Sequence, residues 1–223
     1  LIDEASDLNL IGKARDGNEA LQLVEKLQPD IITLDIEMPG MDGLSTLDEI
    51  LKRRPTPVVM VSSLTQRGAD ITLKALDHGA MDYVAKPEGA RKLEVSFKNE
   101  LLQKIRTMAG TDVKRMLEIR RARRERASDK PSQPTSRFTQ SSSASDAALA
   151  DRCVAIGIST GGPPALTEVF ERLQPPLPPV VVVQHMPANF TGPFSRRLDS
   201  ISALSIKEAA TGDILKPNHA YIA

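Results

Sequence analysis

A serine and a histidine each follow a short aliphatic segment, and together these two residue types can perform acyl transfer. Ser159 follows C-V-A-I-G-I and precedes T-G-G-P-P, whereas His185 follows V-V-V-V-Q. The carboxyl ends of parallel strands face one crevice, so residues that are distant in sequence can meet there. We therefore predict that Ser159 is a nucleophile and that His185 is its general base.

The glycine-rich turn after Ser159 indicates how a developing negative charge would be stabilised. Gly161 and Gly162 permit a tight turn, and the following prolines suit the first turn of a helix. Backbone N–H groups at that helix start, such as the one of Thr160, could bind an oxyanion. Two simpler interpretations stay open at this point. The serine could only cap the helix, or the turn could cradle a phosphate.

A second set of polar residues ends three strand-like segments in the first half of the chain. Asp35, Ser62 and Lys86 each stand at such an end. A carboxylate, a hydroxyl and an amine at one sheet edge could form a phosphoryl site. Asp35 would attack phosphorus, Lys86 would neutralise phosphoryl oxygens, and Ser62 would donate a hydrogen bond. A divalent metal with oxygen ligands, preferably Mg²⁺, would balance the charge.

Alternating strands and helices must position these residues. Strand-like segments at 31–34, 58–61 and 82–85 are separated by helical stripes of apolar residues, and a final stripe follows at Phe97, Leu101, Ile105 and Met108. Repeated strand–helix units are typical of parallel α/β sheets. We predict an α/β fold with two doubly wound parallel-sheet domains, joined by a linker.

Composition narrows the class of protein. The 223 residues suffice for one or two domains, and a hydrophobic content of 40% can supply ordinary cores. Lys plus Arg equals Asp plus Glu at 29 each, which gives no argument for a nucleic-acid or membrane partner. A single cysteine cannot form an internal disulfide and fits a reducing cytoplasm. We expect Cys153 to be a small core residue.

A Ser-, Pro- and Thr-rich segment separates the two sets of polar residues. Residues 128–150 contain few large apolar side chains, which predicts a flexible linker. The preceding run R-R-A-R-R-E-R at 120–126 could bind an acidic surface. A solvated basic helix end is the simpler interpretation, because cations are favoured at a helix carboxyl terminus.

The first half of the chain carries three motifs in a familiar order. L-D-I-E-M-P-G-M-D-G, V-V-M-V-S-S and D-Y-V-A-K-P resemble two-component receiver domains, over roughly residues 1–107. The resemblance implies that Asp35 accepts phosphate from a histidine kinase. It also implies that Ser62 and Tyr83 are the switch hydroxyl and switch aromatic, that Lys86 is the phosphate-contacting lysine, and that the Glu37 carbonyl is a metal ligand beside Asp35.

One part of the receiver pattern is not found. Receivers begin with a strand that ends in an acidic pair for Mg²⁺, and that strand would precede Leu1. The sequence pattern places Asp3 and Glu4 in the first helix, so we do not expect them to replace this acidic pair. We therefore expect a fragment cut at both ends, with weak Mg²⁺ binding at the receiver site.

The second half resembles the catalytic domain of chemotaxis protein-glutamate methylesterases. I-G-I-S-T-G-G-P and V-V-V-V-Q-H-M-P carry the resemblance. It implies that Ser159 is the nucleophile, that His185 is the base, and that the backbone of Thr160 binds the oxyanion. The family's third triad member is an Asp beyond Ala223, and neither Asp199 nor Asp213 occupies that motif. The predicted domains are 1–107 (flavodoxin-like receiver without its first strand), 108–151 (linker, helical and then Ser/Pro-rich) and 152–223 (amino-terminal part of a Rossmann-like hydrolase).

The two resemblances together imply a phosphorylation-activated, cytoplasmic carboxylic ester hydrolase. Its substrates would be glutamate methyl esters on chemoreceptors, with deamidation of glutamines as a second expected activity, and the esterase would need no cofactor. A histidine kinase would be the phosphodonor, without nucleic-acid binding or membrane insertion. One alternative is a receiver that controls a non-catalytic docking domain. A DNA-binding regulator is weaker, because strand-like segments rather than a helix-turn-helix follow the linker.

Overall fold

The structure is a computed structural model that describes residues 2–87, 91–128 and 149–223. The chain divides into two compact units, Leu1–Arg126 and Ala127–Ala223. This division falls within 108–151, the segment predicted as a linker, and the predicted domain limits remain predictions. The Ser- and Pro-rich part predicted to be flexible lies mostly outside the described residues, at 129–148.

The first unit contains a three-stranded parallel sheet with the order β1-β2-β3. Thr33 of β1 pairs with Val59 of β2, and Met60 of β2 pairs with Tyr83 of β3. A helix connects each strand to the next, as parallel pairing requires. After a 3-10 turn at Ile2–Glu4, the elements are α1 (Gly17–Leu27), β1 (Ile32–Asp35), α2 (Gly43–Arg53), β2 (Val58–Ser62), α3 (Gln66–His78), β3 (Asp82–Ala85), α4 (Arg91–Met108) and α5 (Val113–Ser128).

Short polar side chains begin three of these helices. The side chains of Asp16, Asp42 and Thr65 each accept a hydrogen bond from the backbone N–H three residues later. Each such cap stabilises a helix by about 1 kcal/mol, because it satisfies an N–H that the helix leaves unpaired. The caps at Asp42 and Thr65 therefore determine where the loops after β1 and β2 end. These two loops border the predicted phosphoryl site.

The core of the first unit lies where α4 packs on the sheet. Val59 and Val84 form a buried cluster with Leu101, Ile105 and Met108, and Phe97 packs against it. The apolar stripe that predicted this helix is the face that packs on the sheet. Burial of such side chains contributes about 1.5–3 kcal/mol each.

The second unit contains a four-stranded parallel sheet with the order β4-β5-β7-β6. Val180 pairs with Ala220 and Ser205 pairs with His219, so the last strand lies between its two neighbours. Its elements are β4 (Val154–Ile158), α6 (Gly162–Phe170), β5 (Val180–Gln184), α7 (Ala188–Ile201), β6 (Ser205–Glu208) and β7 (His219–Ile222). The predicted fold class, two parallel α/β sheets, is confirmed.

Aromatic side chains fill the core of the second unit, although the chain has few of them. Phe170 of α6 and Phe190 and Phe194 of α7 are fully buried, together with Leu166 and Leu198. Helix α7 packs against β6 and β7, and α6 packs against α7. These contacts anchor α6, the helix that begins immediately after the glycine turn.

Strand β4 contradicts the prediction that Cys153, which directly precedes it, lies in the core. It is an edge strand that pairs with β5 alone in the described sheet, and Val154 is 40% exposed. Cys153, expected in the core, is exposed. An aliphatic run is compatible with either position, because the order of strands decides which of them have neighbours on both sides. None of the helices in the described part of the chain has the length and apolarity needed to cross a membrane.

Candidate active sites

The turn that carries Ser159 follows directly from the end of β4. The carbonyl of Ser159 accepts a hydrogen bond of 2.9 Å from the N–H of Gly162, which closes the turn. Gly161 has φ of 72°, in the left-handed region that glycine tolerates best. Helix α6 begins at Gly162 with proline in its first turn and without a side-chain cap. Ser159 therefore does not cap this helix, which removes one of the simpler interpretations.

The serine and the histidine meet at the carboxyl ends of β4 and β5. The N–H of His185 donates to the carbonyl of Ile158 at 3.1 Å, which extends the pairing of the two strands by one residue. Ser159 Oγ lies 3.4 Å from His185 Nδ1, and both side chains are exposed. Thr160, the predicted oxyanion residue, is half-buried between Ser159 and the glycine turn. A hydroxyl at the long end of hydrogen-bond distance from an imidazole is a usual starting geometry for a nucleophile and its base.

Gln184 is a polar residue of this site that the sequence predictions missed. It ends β5, it is buried, and its Nε2 donates to the carbonyls of both Ser159 and His185. A signal was available, because Gln184 continues the alternate positions of Val180 and Val182, which face the core. A lone amide on an apolar strand face requires hydrogen-bond partners.

Three further titratable side chains of the second unit, namely Asp199, Asp213 and His219, have partners away from the Ser159–His185 pair. Asp199 accepts the N–H of Ile206 at 2.7 Å, and Asp213 pairs with Lys207 at 2.6 Å. The Lys207 hydrogen bond, helped by a backbone N–H, lowers the pKa of Asp213. His219 Nδ1 contacts the carbonyl of Pro217 at 2.8 Å, at the start of β7. Within the described part of the chain, none of these three side chains forms a hydrogen bond with His185.

Asp35 and Lys86 meet at the carboxyl edge of the first sheet. Lys86 Nζ lies 2.6 Å from Asp35 Oδ2, and both side chains are half-buried. Asp35 Oδ1 accepts the N–H of Glu37 at 3.1 Å, which orients the carboxylate at the start of the loop. Two of the three predicted strand-end residues are thus brought together, with the carboxylate open to solvent.

Two other predicted site residues of the first unit, Ser62 and Tyr83, are buried. Ser62 is fully buried, and its hydroxyl donates toward the carbonyl of Gly68 at 3.3 Å and accepts from Thr72 Oγ1 at 2.7 Å. Tyr83 is 3% exposed, and its burial, reinforced by the charges of Asp82 and Glu100, raises the pKa of its phenol. The predicted switch roles of both residues therefore require a rearrangement, and they remain predictions.

Comparisons with known proteins match the two parts of the chain to two different families. Residues 2–98 match the response regulator receiver domain family, and residues 154–223 match the CheB methylesterase family. A protein-glutamate methylesterase/protein-glutamine glutaminase of Methanococcus maripaludis is 36% identical over 100% of this chain and 62% of its own length. The protein with the same description from Pyrococcus horikoshii is 42% identical over 100% of this chain and 58% of its own length.

The chain belongs to the receiver-linked protein-glutamate methylesterase family. The crystal structure of the response regulator domain of Thermotoga maritima CheB shares 45% identity with it. That match covers 50% of this chain and 84% of the other, with a TM-score of 0.45. The chain spans about three fifths of the length of the curated relatives named above.

Receiver domains generally bind Mg²⁺, and the residues of this methylesterase family member fit such an ion in part. Asp35 offers a carboxylate and Glu37 a backbone carbonyl, both of them oxygen ligands that suit Mg²⁺. Lys86 already occupies one carboxylate oxygen of Asp35. Glu4 instead pairs with Lys98 of α4. Within the described residues, no three His, Cys, Asp or Glu side chains are grouped to hold a metal ion.

Proposed function

We propose that this protein hydrolyses γ-glutamyl methyl esters on the cytoplasmic helices of chemoreceptors. The observation that carries the proposal is the approach of Ser159 Oγ to His185 Nδ1, 3.4 Å apart at adjacent strand ends. The family match over 154–223 and the descriptions of the relatives support the same chemistry. We place the protein in the cytoplasm, where the receptor segments that carry these glutamates lie.

The pair performs the reaction as a two-step acyl transfer. Ser159 Oγ attacks the ester carbonyl while His185 Nδ1 takes its proton, and the backbone N–H of Thr160 donates to the oxyanion. His185 returns the proton to the methoxy oxygen, so that methanol leaves and an acyl-serine forms. Water then attacks the acyl-serine with His185 as base, which releases the glutamate and restores the serine. Glutamine deamidation follows the same steps with ammonia as the leaving group.

We also propose a third member of the catalytic triad and the limits of the two domains. An Asp beyond Ala223 would orient His185 through its other ring nitrogen, as the third group of such a triad does. The receiver covers 1–107, the linker 108–151, and the described part of the hydrolase domain 152–223.

The first unit would control the second through phosphorylation of Asp35 by a histidine kinase. The Asp35 carboxylate would attack the phosphorus of the kinase phosphohistidine, so that an acyl phosphate forms while the P–N bond breaks and the imidazole leaves. Lys86 would neutralise the phosphoryl oxygens during this transfer. Asp35 and the Glu37 carbonyl would hold Mg²⁺, whose charge stabilises the phosphoryl group in transfer. Ser62 and Tyr83 then respond to the new charge, which shifts the population between two states of the protein.

Methanol release tests the esterase in the intact protein. Receptor methylated with a labelled methyl group should release labelled methanol with wild-type protein and with a Ser200→Ala control, which changes an exposed serine outside the site. Ser159→Ala and His185→Ala should each lower the rate by at least about a thousandfold, as in other Ser–His enzymes. Equal rates for wild type and Ser159→Ala would reject the esterase and favour the docking-domain alternative.

Phosphorylation of Asp35 is tested separately. A small acyl-phosphate donor with Mg²⁺ should label the wild type and an Asp30→Asn control, which alters an exposed carboxylate before β1. Asp35→Asn should abolish the label, because an amide cannot form the acyl phosphate. Label that persists in Asp35→Asn would reject Asp35 as the acceptor.

A further inference from the structure

We propose that Gln184 is a positioning residue that holds the nucleophile turn and the base in register. The proposal rests on the proposed function of Ser159 and His185. Gln184 is only 4% exposed, on the strand face that Val180 and Val182 direct into the core. A buried amide is costly unless its polar atoms find partners, so its partners indicate why it is there.

The side chain of Gln184 joins the carboxyl ends of two strands. Its Nε2 donates to the carbonyl oxygen of Ser159 at 3.1 Å and to that of His185 at 3.1 Å. Both partners are acceptors, so only the NH₂ end of the amide can face them, which determines its orientation. One side chain therefore contacts the backbone of both members of the proposed catalytic pair.

This contact also determines the direction of the proposed oxyanion donor. The Ser159 carbonyl accepts a second hydrogen bond, from the N–H of Gly162 at 2.9 Å. The peptide between Ser159 and Thr160 is planar and trans, so the N–H of Thr160 points opposite to the Ser159 carbonyl. With the carbonyl held by two donors, the Thr160 N–H is held in the reverse direction, as a preorganised oxyanion donor must be.

Gly162 provides the space that the amide needs. A Cβ added at Gly162 would lie 1.9 Å from Gln184 Oε1 and 2.8 Å from its Cδ. Oε1 is buried and has no hydrogen-bond partner among the described residues, so the two Nε2 contacts are what hold the amide. The second glycine of the turn is thus required because Gln184 fills the volume that a side chain would occupy.

We call the contact of Gln184 with the carbonyls of Ser159 and His185 the clamp. Three variants of the intact protein test it. Gln184→Met keeps the length of the side chain but removes both donors, and Gly162→Ala keeps the amide but displaces it. Val182→Ala is the matched control, since it also alters the buried face of β5 without a polar contact. Gln184→Met and Gly162→Ala should lower kcat for methanol release about 10- to 100-fold, with KM within about twofold, because geometry rather than binding is lost.

Two readouts do not depend on the ester substrate. The rate at which a fluorophosphonate labels Ser159 should fall by a similar factor in both clamp variants and stay near wild type in Val182→Ala. The backbone amide resonances of Thr160 and His185 should move in the clamp variants and remain in place in the control. If Gln184→Met fails to fold, Gly162→Ala carries the test.

The outcomes separate the clamp from the proposed function. Unchanged labelling rates together with unchanged Thr160 and His185 resonances in Gln184→Met and Gly162→Ala would overturn the clamp. An equal loss of kcat in Val182→Ala would do the same, because it would reveal a general packing effect. A wild-type protein that releases no methanol would reject the esterase, while the resonances would still decide whether Gln184 positions the turn.

Discussion

Replacement of Lys104 by methionine should be among the most destabilising single changes in the first unit. Lys104 lies on α4 with its ammonium group against β3, and its side chain is 9% exposed. Nζ lies 3.3 Å from Asp82 Oδ1 and 2.9 Å from Glu100 Oε1, and it donates to the carbonyl of Tyr83. Methionine preserves most of the volume, so the change removes charge and donors rather than packing.

The expected loss in the free energy of unfolding follows from the burial of the Lys104–Asp82 ion pair. At an effective dielectric constant of 20, opposite charges 3.3 Å apart attract by about 5 kcal/mol before desolvation is counted. Removal of one partner from a buried ion pair costs about 3–5 kcal/mol, because the other charge stays buried. Asp82 is 1% exposed, whereas Glu100 is 35% exposed and can be solvated. We therefore expect the lower end, a loss of about 3 kcal/mol in the free energy of unfolding.

Native-state hydrogen exchange of the β2 amides measures this loss, because β2 is the central strand and reports on the first unit alone. Lys98→Met is the matched control on the same helix, since Lys98 pairs with Glu4, which is 62% exposed. That control should lose less than about 1 kcal/mol. Adding Asp82→Asn to Lys104→Met should recover about 1 kcal/mol or more, because the asparagine can still accept the Tyr83 N–H without a buried charge. Equal losses in the two lysine variants would refute the reasoning.

Three further perturbations follow from the burial and charges of single side chains. The Arg106 hydrogen bond lowers the pKa of Asp7 to about 2, so this contact stabilises the protein fully above about pH 4 and is lost as the pH falls toward 2. Thermal unfolding should therefore place Asp7→Asn below wild type at pH 6 and show the gap closing by pH 2; a gap independent of pH would contradict this. Burial raises the pKa of Tyr83, so the folded state keeps that proton above pH 10 while the unfolded state releases it, which favours unfolding as the pH rises. Tyrosine ionisation raises the absorbance at 295 nm, and this rise should be equal in folded wild type and folded Tyr83→Phe up to about pH 11. A larger rise in the wild type would show that Tyr83 ionises in the folded protein. Phe170→Ala, at a fully buried site, should cost about 3–5 kcal/mol in urea unfolding, against less than about 1 kcal/mol for the neighbouring, 41% exposed Val169→Ala; similar losses would argue against a close-packed core at this position.

The strand-end residues were predictable because one geometric rule covers all of them. Asp35, Lys86, Ser159 and His185 each follow an aliphatic segment, and parallel sheets bring such ends to a single edge. Asp35 Oδ2 lies 2.6 Å from Lys86 Nζ, and Ser159 Oγ lies 3.4 Å from His185 Nδ1. That each pair lies close together could be predicted without knowing how the side chains pack. The buried stripe of α4 followed from its helical periodicity.

What escaped prediction depends on contacts between residues that no short motif relates. The hydroxyl of Ser62 can face the phosphoryl site or Thr72, and only the packing of α3 selects the second. The exposure of Cys153 follows from the edge position of β4, and the insertion of β7 between β5 and β6 is likewise a property of strand order. Gln184 was visible as a polar residue on an apolar face, but its partners were not.

The two proposed sites also differ in how far their groups are already held by hydrogen bonds, and this difference fits the proposed control by phosphorylation. In the second unit the carbonyl of Ser159 already accepts one hydrogen bond from the Gln184 amide and one from the backbone of Gly162. In the first unit the proposed switch would require Ser62 to give up its contacts with Thr72 and Gly68 before it reaches a phosphoryl group. Such neutral hydrogen bonds contribute about 1 kcal/mol each, and a charge-assisted bond to phosphate is roughly twice as strong. The two neutral hydrogen bonds that Ser62 would lose are therefore about as strong as the one bond to phosphate that it would gain. The charge of an added phosphoryl group can tip this balance toward the bond to phosphate. The unmodified Asp35 carboxylate does not, because it is already paired with Lys86.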